Sequence, residues 1–146
     1  MILLGRLLSP YTRLVAMVLR HHGISHEHRQ LAVVNDDDKA QIRQHNALIR
    51  VPVLVLDDGQ SLLESDVIIN FIESRLPVTD RLFHVDTNDQ TKLYAFYGRA
   101  KGIMDRAVAA FYESTRRPEE FRWADQAAKL DEDWGRCLLE LESACP

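Results

Sequence analysis

Three short segments carry residue types that could together bind a small peptide-like anion. Residues 50–52 read Arg-Val-Pro at the mouth of an apolar strand, and residues 64–65 read Glu-Ser at the start of a predicted helix. The backbone of Val51 can pair with an extended ligand, and N–H groups at a helix start can bind a carboxylate. Far upstream, Ser9-Pro10-Tyr11 opens another helix, and the Ser9 hydroxyl could reach the same ligand. These three segments can bind one ligand only if the fold brings them close together in space.

The elements that position these segments follow from hydrophobic spacing and from capping residues. Ser9 is a good N-cap with Pro10 at the first helical position, Gly23 ends that helix, and Asp58-Gly59 is a strong hairpin turn. The predicted strands are 2–4, 27–34, 51–56 and 61–63; the predicted helices start after Ser9, after Asn35 and at Ser65, the last ending near Pro77. The order β-α-β-α-β-β-α predicts a mixed four-stranded sheet with helices on both faces.

The character of the chain changes after Pro77. Residues 78–88 indicate a linker, and a broad apolar stripe from Leu93 to Tyr112 predicts a long helix. Pro118 is predicted to begin a second long helix, whose apolar positions step by four and three as in a packed helical hairpin. We therefore predict three parts: an α/β domain over 1–77, a linker over 78–88 and a helical domain over 89–146.

Composition narrows the class of protein. The chain has 146 residues and a net charge of −4, which argues against a nucleic-acid binder with a basic face. The longest apolar run is too short to span a membrane, and the N-terminus lacks the pattern of a secretory signal. Cys137 and Cys145 have no CxxC spacing, so reduced thiols and a cytoplasmic location are expected.

Two polar clusters raise the possibility of a metal site. His21, His22, His26 and His28 surround a predicted helix–strand corner, and Asp36, Asp37 and Asp38 open a helix. Cysteine or carboxylate ligands that would complete a tetrahedral set near the histidines are missing. We interpret the histidines as solvated polar residues and the aspartates as a capping cluster that complements the helix dipole, and we expect no metal.

Taken together, the motifs match a known family. They are Ser9-Pro10-Tyr11 with Arg13 and Val15, Gly23-Ile24, Val51-Pro52-Val53-Leu54-Val55, Asp58-Gly59, and Leu63-Glu64-Ser65 with Ile68. In this order and separation the chain resembles the glutathione S-transferases, in particular small bacterial members with a serine-type active site. The resemblance implies a thioredoxin-like α/β N-terminal domain, an all-helical C-terminal domain and a homodimer.

The resemblance also implies roles for individual residues. Pro52 matches the proline that is cis in the family, and Val51 would pair its main chain with the cysteinyl unit of glutathione. Glu64 would bind the ammonium group of the γ-glutamyl end, and Ser65 would bind the carboxylate there. Ser9 matches the residue that contacts the thiol, as a hydrogen-bond donor to the thiolate rather than a nucleophile.

Two more residues are assigned to glutathione binding, and the chain departs from the family pattern in two places. Tyr11 is either a second hydroxyl donor to glutathione or a helix-packing aromatic residue, and Arg50 is assigned to glutathione binding. Where the family commonly has Asn-Pro-x-Gly before this basic residue, residues 46–49 read Asn-Ala-Leu-Ile, so the loop is expected to change shape. The helical domain is expected to be shortened relative to the family.

The leading hypothesis is a glutathione transferase that uses glutathione as a substrate, without a cofactor, against small electrophiles. The alternative is a non-catalytic, glutathione-transferase-like binding or interaction protein. A thiol-disulfide oxidoreductase on the same scaffold is disfavoured, because residues 9–12 read Ser-Pro-Tyr-Thr and contain no cysteine.

Overall fold

The computed structural model describes residues 1–84 and 87–144. It divides the chain into two compact units, Met1–Leu82 and Phe83–Pro146, called unit 1 and unit 2 below. The strands are β1 (Ile2–Leu4), β2 (Glu27–Arg29), β3 (Val53–Val55) and β4 (Ser61–Leu63). The helices are α1 (Pro10–His21), α2 (Asp36–Arg43), α3 (Ser65–Ser74), α4 (Thr87–Thr115) and α5 (Ala124–Ser143).

Unit 1 contains a mixed four-stranded sheet with strand order β2-β1-β3-β4. β1 pairs with β2 in parallel, whereas β3 runs antiparallel to both β1 and β4. The parallel pair is joined through α1, and the antiparallel pair β3–β4 is joined by a tight turn in which Gly59 has φ of +84°. The predicted fold class is therefore confirmed.

The sheet is buried on both faces. One face carries a hydrophobic cluster made of Leu4, Leu31, Ile42, Val53 and Val55. Leu3 and Leu54 alternate with members of that cluster along β1 and β3, so their side chains point to the opposite face, where both are fully buried. α1 and α3 pack against each other and supply further buried apolar side chains of unit 1, while α2 brings Ile42 to the first face.

Both ends of α1 form as the sequence predicts. Ser9 is the N-cap, its side chain accepts a hydrogen bond from the Thr12 N–H, and Pro10 occupies the first turn. At the other end Gly23 has φ of +63°, and the N–H groups of Gly23 and Ile24 donate to carbonyls in the last turn of α1. These caps fix where α1 starts and therefore where Ser9 lies.

Two predicted strands are shorter than expected. β2 ends at Arg29 rather than at Val34, because the chain turns there: the Leu31 N–H donates to the Arg29 carbonyl, and the Asp38 carboxylate accepts the Ala32 N–H at 2.8 Å. β3 occupies Val53–Val55 rather than 51–56, because ladder pairing starts only after Pro52. α3 also ends slightly early, with Arg75 as its C-cap.

Unit 2 consists of α4 and α5, which pack against each other. The prediction that Pro118 begins the second long helix was wrong. Pro118 opens a short 3₁₀ turn over Glu119–Phe121, and extended backbone at Arg122 and Trp123 precedes α5. The Glu113 carboxylate of α4 accepts the Trp123 N–H at 2.8 Å, which stabilises this later start.

Two remaining expectations concern cysteines and membranes. Cys137 is an exposed free thiol on α5, whereas Cys145 lies outside the described residues. No helix in the described part of the chain combines the length and the apolarity required to cross a bilayer.

Candidate functional site

Ser9 is half-buried and lies at the N-terminus of α1. Its hydroxyl oxygen accepts the Thr12 N–H at 3.3 Å, which is an N-cap contact. A hydroxyl has one donor proton and two acceptor lone pairs, so capping the helix leaves the proton able to donate to another group. The helix N-terminus places partial positive charge at the same point. Ser9 can therefore stabilise an anion while it caps α1.

The loop before Ser9 is held by hydrogen bonds with the side chains of Arg13, Gln30 and His28. Arg13 donates from Nε and Nη2 to the Leu7 carbonyl at 3.1 and 3.0 Å, and the Gln30 side chain accepts the Leu7 N–H at 3.2 Å. His28 Nε2 lies 2.8 Å from the Gly5 carbonyl oxygen. Side chains on α1, on β2 and just after β2 thus hold the loop that leads to Ser9.

Gly5 lies where the Ser9 helix approaches the segment before β3. It is buried and has φ of +131°. A Cβ atom at this position would lie 2.6 Å from Thr12 Oγ1 and 2.9 Å from Val51 Cβ. The absence of a side chain therefore allows Thr12, three residues after Ser9, and Val51 to come close to the same point. In this way the structure brings the start of α1, which carries Ser9, close to Val51.

Val51 lies just outside the sheet. Ladder pairing of β3 with β1 and β4 begins at Val53, so the backbone of Val51 is not part of the ladder. Its side chain packs against the hydrophobic cluster of the sheet, which anchors the residue. The Val51–Pro52 peptide bond is cis, as the resemblance implies, and Pro52 is buried.

Asn46 organises the loop that leads to Val51. It is 4% exposed, and its side chain donates to the Arg50 carbonyl at 2.9 Å and accepts the Leu48 N–H at 3.0 Å. The Ile49 N–H donates to the Asn46 carbonyl at 2.9 Å. Because the Arg50 carbonyl and the Val51 N–H belong to one planar peptide group, Asn46 fixes the direction of the Val51 N–H.

Ile49 stands where the resemblance expects a glycine. It has φ of +54°, a conformation that glycine adopts without strain and that is unfavourable for a β-branched side chain. Its side chain packs against the hydrophobic cluster of the sheet. The left-handed backbone at this position is therefore achieved by packing rather than by glycine.

The third segment forms the start of α3. Glu64 is the N-cap with φ of +66°, and Ser65 is the first helical residue and 3% exposed. Arg50 Nη1 lies 3.1 Å from Glu64 Oε1, and both side chains are more than half exposed. This ion pair thus joins the segment 50–52 to the start of α3.

The predicted site residues are therefore connected in space along unit 1. Gly5 links the Ser9 helix to Val51, and the Arg50–Glu64 pair links Val51 to the start of α3. Tyr11 lies in the first turn of α1 and is half-buried. Gly5 and Asn46 were missed as functional candidates, although a glycine after a buried strand and an asparagine in the altered loop were visible signals.

The histidine cluster differs from the prediction. His22 is buried rather than solvated: its Nε2 lies 2.7 Å from Glu73 Oε1, with the two side chains 6% and 8% exposed. His26 hydrogen-bonds the Ile24 carbonyl, and His28 hydrogen-bonds the Gly5 carbonyl. His26 and His28 thus bind carbonyl groups in the turns after α1 and β1, whereas His22 binds a carboxylate on α3. The described residues contain no group of three or more side chains that could hold a metal ion.

Unit 2 has a cavity of about 750 Å³ between the end of α4 and the start of α5. Its walls are formed by Ala109, Tyr112, Glu113, Arg116, Arg117, Trp123, Gln126 and Leu130. The Glu113 carboxylate in this wall binds both the Trp123 N–H and the Arg117 guanidinium at 2.8 Å. Arg117 therefore neutralises the charge of Glu113, and the contact with the Trp123 N–H stabilises the turn into α5.

A family model described as "Glutathione S-transferase, N-terminal domain" matches residues 3–79, more than half of the chain. Among curated proteins, an uncharacterized GST-like protein, YibF of Escherichia coli K12, is 29% identical over 140 residues, which cover 96% of this chain and 67% of YibF. The match covers both units and not only the α/β part.

Solved structures of similar proteins contain glutathione. A glutathione S-transferase from Methylobacillus flagellatus KT with GSH bound is 30% identical, with a TM-score of 0.82 over 97% of this chain and 68% of that chain. A glutathione transferase family member from Pseudomonas fluorescens Pf-5 with bound glutathione is 29% identical, with a TM-score of 0.77 over 97% and 70%. This chain thus spans about two thirds of the length of these relatives.

Proposed function

Because the chain belongs to the glutathione S-transferase family, we propose that it binds glutathione and transfers it to small electrophiles. The observation that carries this proposal is the Ser9 hydroxyl at the N-terminus of α1, whose oxygen caps the helix while its proton stays able to donate. In this proposal Ser9 donates a hydrogen bond to the glutathione thiolate. The thiol releases its proton to water, so no general base is required. The thiolate sulfur then attacks the electrophilic carbon, and the new carbon–sulfur bond replaces the bond to a leaving group, such as the halide of an aryl halide, which departs with the bonding electron pair.

The energy required is within reach of these groups. A free thiol with a pKa of about 8.5 is only about 3% thiolate at pH 7. Lowering that pKa by about two units requires about 2.7 kcal/mol of preferential binding of the anion. A charge-assisted hydrogen bond from Ser9 contributes about 1.5–3 kcal/mol, and the N-terminus of α1 adds about 0.3–1 kcal/mol. No cationic side chain is needed near the sulfur.

The remaining predicted residues would hold the rest of the ligand. Val51, outside the ladder and anchored by its side chain, would pair its backbone with the cysteinyl unit. Glu64 would bind the γ-glutamyl ammonium group, and Ser65, at the N-terminus of α3, would bind the adjacent carboxylate. Arg50 would bind a ligand carboxylate, and Tyr11 is a second candidate hydroxyl beside Ser9. Pro52 would shape the backbone next to Val51.

The organisation around this site is also proposed from the family. We propose a glutathione-binding domain over 1–77, a linker over 78–88 and a helical domain over 89–146. A cytoplasmic homodimer that uses glutathione as substrate, with no metal or other cofactor, is the form in which we expect the chain to act. Neither a nucleic acid nor a membrane is a proposed partner.

The test is a titration of the full chain with glutathione, followed by heat and by the ultraviolet absorbance of the thiolate. Binding together with a thiolate signal near neutral pH, and turnover of an activated aryl halide, would support the transferase. Binding without turnover would favour the alternative of a non-catalytic binding or interaction protein. Absence of binding would contradict the proposal.

A further inference from the structure

The side chains of Gln30 and His28 form a hydrogen-bond circuit with the loop after β1. The circuit leaves the loop at Leu7, whose N–H donates to Gln30 Oε1 at 3.2 Å. The nitrogen of the same amide, Nε2, lies 3.5 Å from His28 Nδ1. The circuit returns to the loop at Gly5, whose carbonyl oxygen lies 2.8 Å from His28 Nε2. We call these two side chains the Gln30–His28 relay.

The two ends of the relay fix which group donates at each step. A backbone N–H only donates, so the Leu7 N–H directs the oxygen of the Gln30 amide to the loop and its NH₂ group to His28. A carbonyl only accepts, so the ring nitrogen that faces Gly5 must carry a hydrogen. Nδ1 is then the acceptor, and His28 is the neutral ring with its hydrogen on Nε2. Both ends of the relay require this one arrangement.

The relay reaches Ser9 through a single peptide group. The Leu7 N–H and the Arg6 carbonyl belong to the same planar unit, so the bond to Gln30 fixes the direction of that carbonyl. The Arg6 carbonyl in turn accepts the Ser9 N–H at 3.0 Å. Movement of this peptide group therefore moves the N-cap of α1 and the hydroxyl that it carries.

We propose that Gln30 and His28 are positioning residues that set the place of the Ser9 hydroxyl from the edge strand β2, outside the segments assigned to the ligand. This inference rests on the proposed function and deepens it, because that hydroxyl is the group assigned to the thiolate. The strength of a hydrogen bond falls steeply when its distance and angle depart from the optimum. A displaced Ser9 would thus stabilise the thiolate less, although its hydroxyl is still present.

The first experiment determines the tautomer of His28 in the full chain without ligand. NMR spectra of the ring nitrogens at about pH 8, above the ordinary pKa of histidine, should show hydrogen on Nε2 and a bare Nδ1. His26 gives an internal contrast, because its Nδ1 lies 3.0 Å from the Ile24 carbonyl oxygen and must carry a hydrogen. A hydrogen on Nδ1 of His28 would overturn the inference without reference to glutathione.

The second experiment measures the pH midpoint of thiolate absorbance for glutathione bound to His28→Ala, Gln30→Ala and the double variant. Each single change should raise the midpoint by about half a pH unit, which is about a threefold loss in the ionisation constant. The double variant should shift it no further than the larger single change, because either change opens the relay. His28→Gln should restore the wild-type midpoint, because its amide offers a donor to Gly5 and an acceptor to Gln30.

The matched control is His26→Ala, which removes another imidazole–carbonyl hydrogen bond of unit 1 and should leave the midpoint unchanged. A general loss of stability does not move the midpoint of the complex that remains folded, so the measurement separates positioning from stability. Unchanged midpoints in His28→Ala and Gln30→Ala, or a shift in His28→Gln as large as in His28→Ala, would overturn this inference alone. A wild-type midpoint equal to that of free glutathione would overturn the proposed function and this inference with it.

Discussion

The buried side chain of Asn46 donates a 2.9 Å hydrogen bond to the carbonyl oxygen of Arg50. That carbonyl shares a planar peptide group with the Val51 N–H, so the bond sets the direction of a donor that the proposed function assigns to glutathione. The amide of Asn46 also accepts the Leu48 N–H at 3.0 Å. One asparagine therefore holds the loop in which Ala47 and Ile49 replace the proline and the glycine of the family pattern.

Asn46→Asp should weaken glutathione binding and destabilise unit 1. The change keeps the acceptor for the Leu48 N–H but removes the donor to Arg50 and places a carboxylate oxygen against the carbonyl. Loss of a buried hydrogen bond with an uncompensated partner costs about 1–3 kcal/mol. Calorimetry and urea unfolding measure the two effects. Asn35→Asp is the control, because Asn35 uses its side-chain oxygen to cap α2 and aspartate caps equally well; an equal loss in both variants would contradict this role of Asn46.

Gly5→Ala should destabilise the protein by at least about 2 kcal/mol and also weaken glutathione binding. The new methyl group would overlap Thr12 and Val51, and alanine is strained at φ of +131°. Gly59→Ala is a useful comparison, since Gly59 also has positive φ but a Cβ there meets no atom within 4 Å. Gly59→Ala should lower stability without changing glutathione affinity. Equal effects of the two variants on affinity would show that Gly5 does not position Val51.

Thr12→Val should raise the free energy of unfolding by about 1 kcal/mol. Within the described residues, Thr12 Oγ1 is the buried side-chain oxygen that has no hydrogen-bond partner, and valine keeps the shape of the side chain. Thr12→Ser is the opposite variant, because it keeps the hydroxyl and deletes the methyl group, and it should lower stability. Denaturant unfolding of both variants gives the comparison. A less stable valine variant would show that the hydroxyl has a partner.

Glu73→Ala should lower the free energy of unfolding by about 2–5 kcal/mol. The Glu73 carboxylate binds His22 at 2.7 Å and accepts the Leu82 N–H at 2.7 Å, so its removal leaves two groups without a partner. Glu73→Gln keeps an oxygen acceptor for Leu82 and should cost less. Thermal and denaturant unfolding of both variants test this order. A free energy of unfolding in Glu73→Ala equal to that of the wild-type chain would show that the pair contributes nothing to stability.

The fold was predictable because its signals are local. Ser9 with Pro10, Gly23, and Asp58-Gly59 each specify a cap or turn through chemistry that acts within a few residues, and all formed as predicted. Boundaries that depend on long-range contacts were predicted less well. α5 begins at Ala124 because Glu113, on another helix, accepts the Trp123 N–H, and a pattern of apolar residues carries no information about that contact.

The candidate site was predictable as three segments but not as a connected arrangement. The resemblance indicated Ser9, Val51 and Glu64. The close approach at Gly5 and the pairing of Arg50 with Glu64 arise only when the chain folds, so the sequence did not indicate them. The burial of His22 was missed for the same reason, because its partner Glu73 is remote in sequence. Pairings between distant residues depend on the packing of helices on the sheet, which spacing along one helix does not specify.

The central claim is that the Ser9 hydroxyl stabilises the glutathione thiolate. The most direct measurement is a pH titration of thiolate absorbance in the complex of glutathione with the wild-type chain and with Ser9→Ala. The wild-type complex should titrate about two pH units below free glutathione. Ser9→Ala should reverse most of that shift, while glutathione affinity measured below about pH 6, where the bound thiol is protonated, changes little. A wild-type midpoint equal to that of free glutathione, or an unchanged midpoint in Ser9→Ala, would contradict the claim.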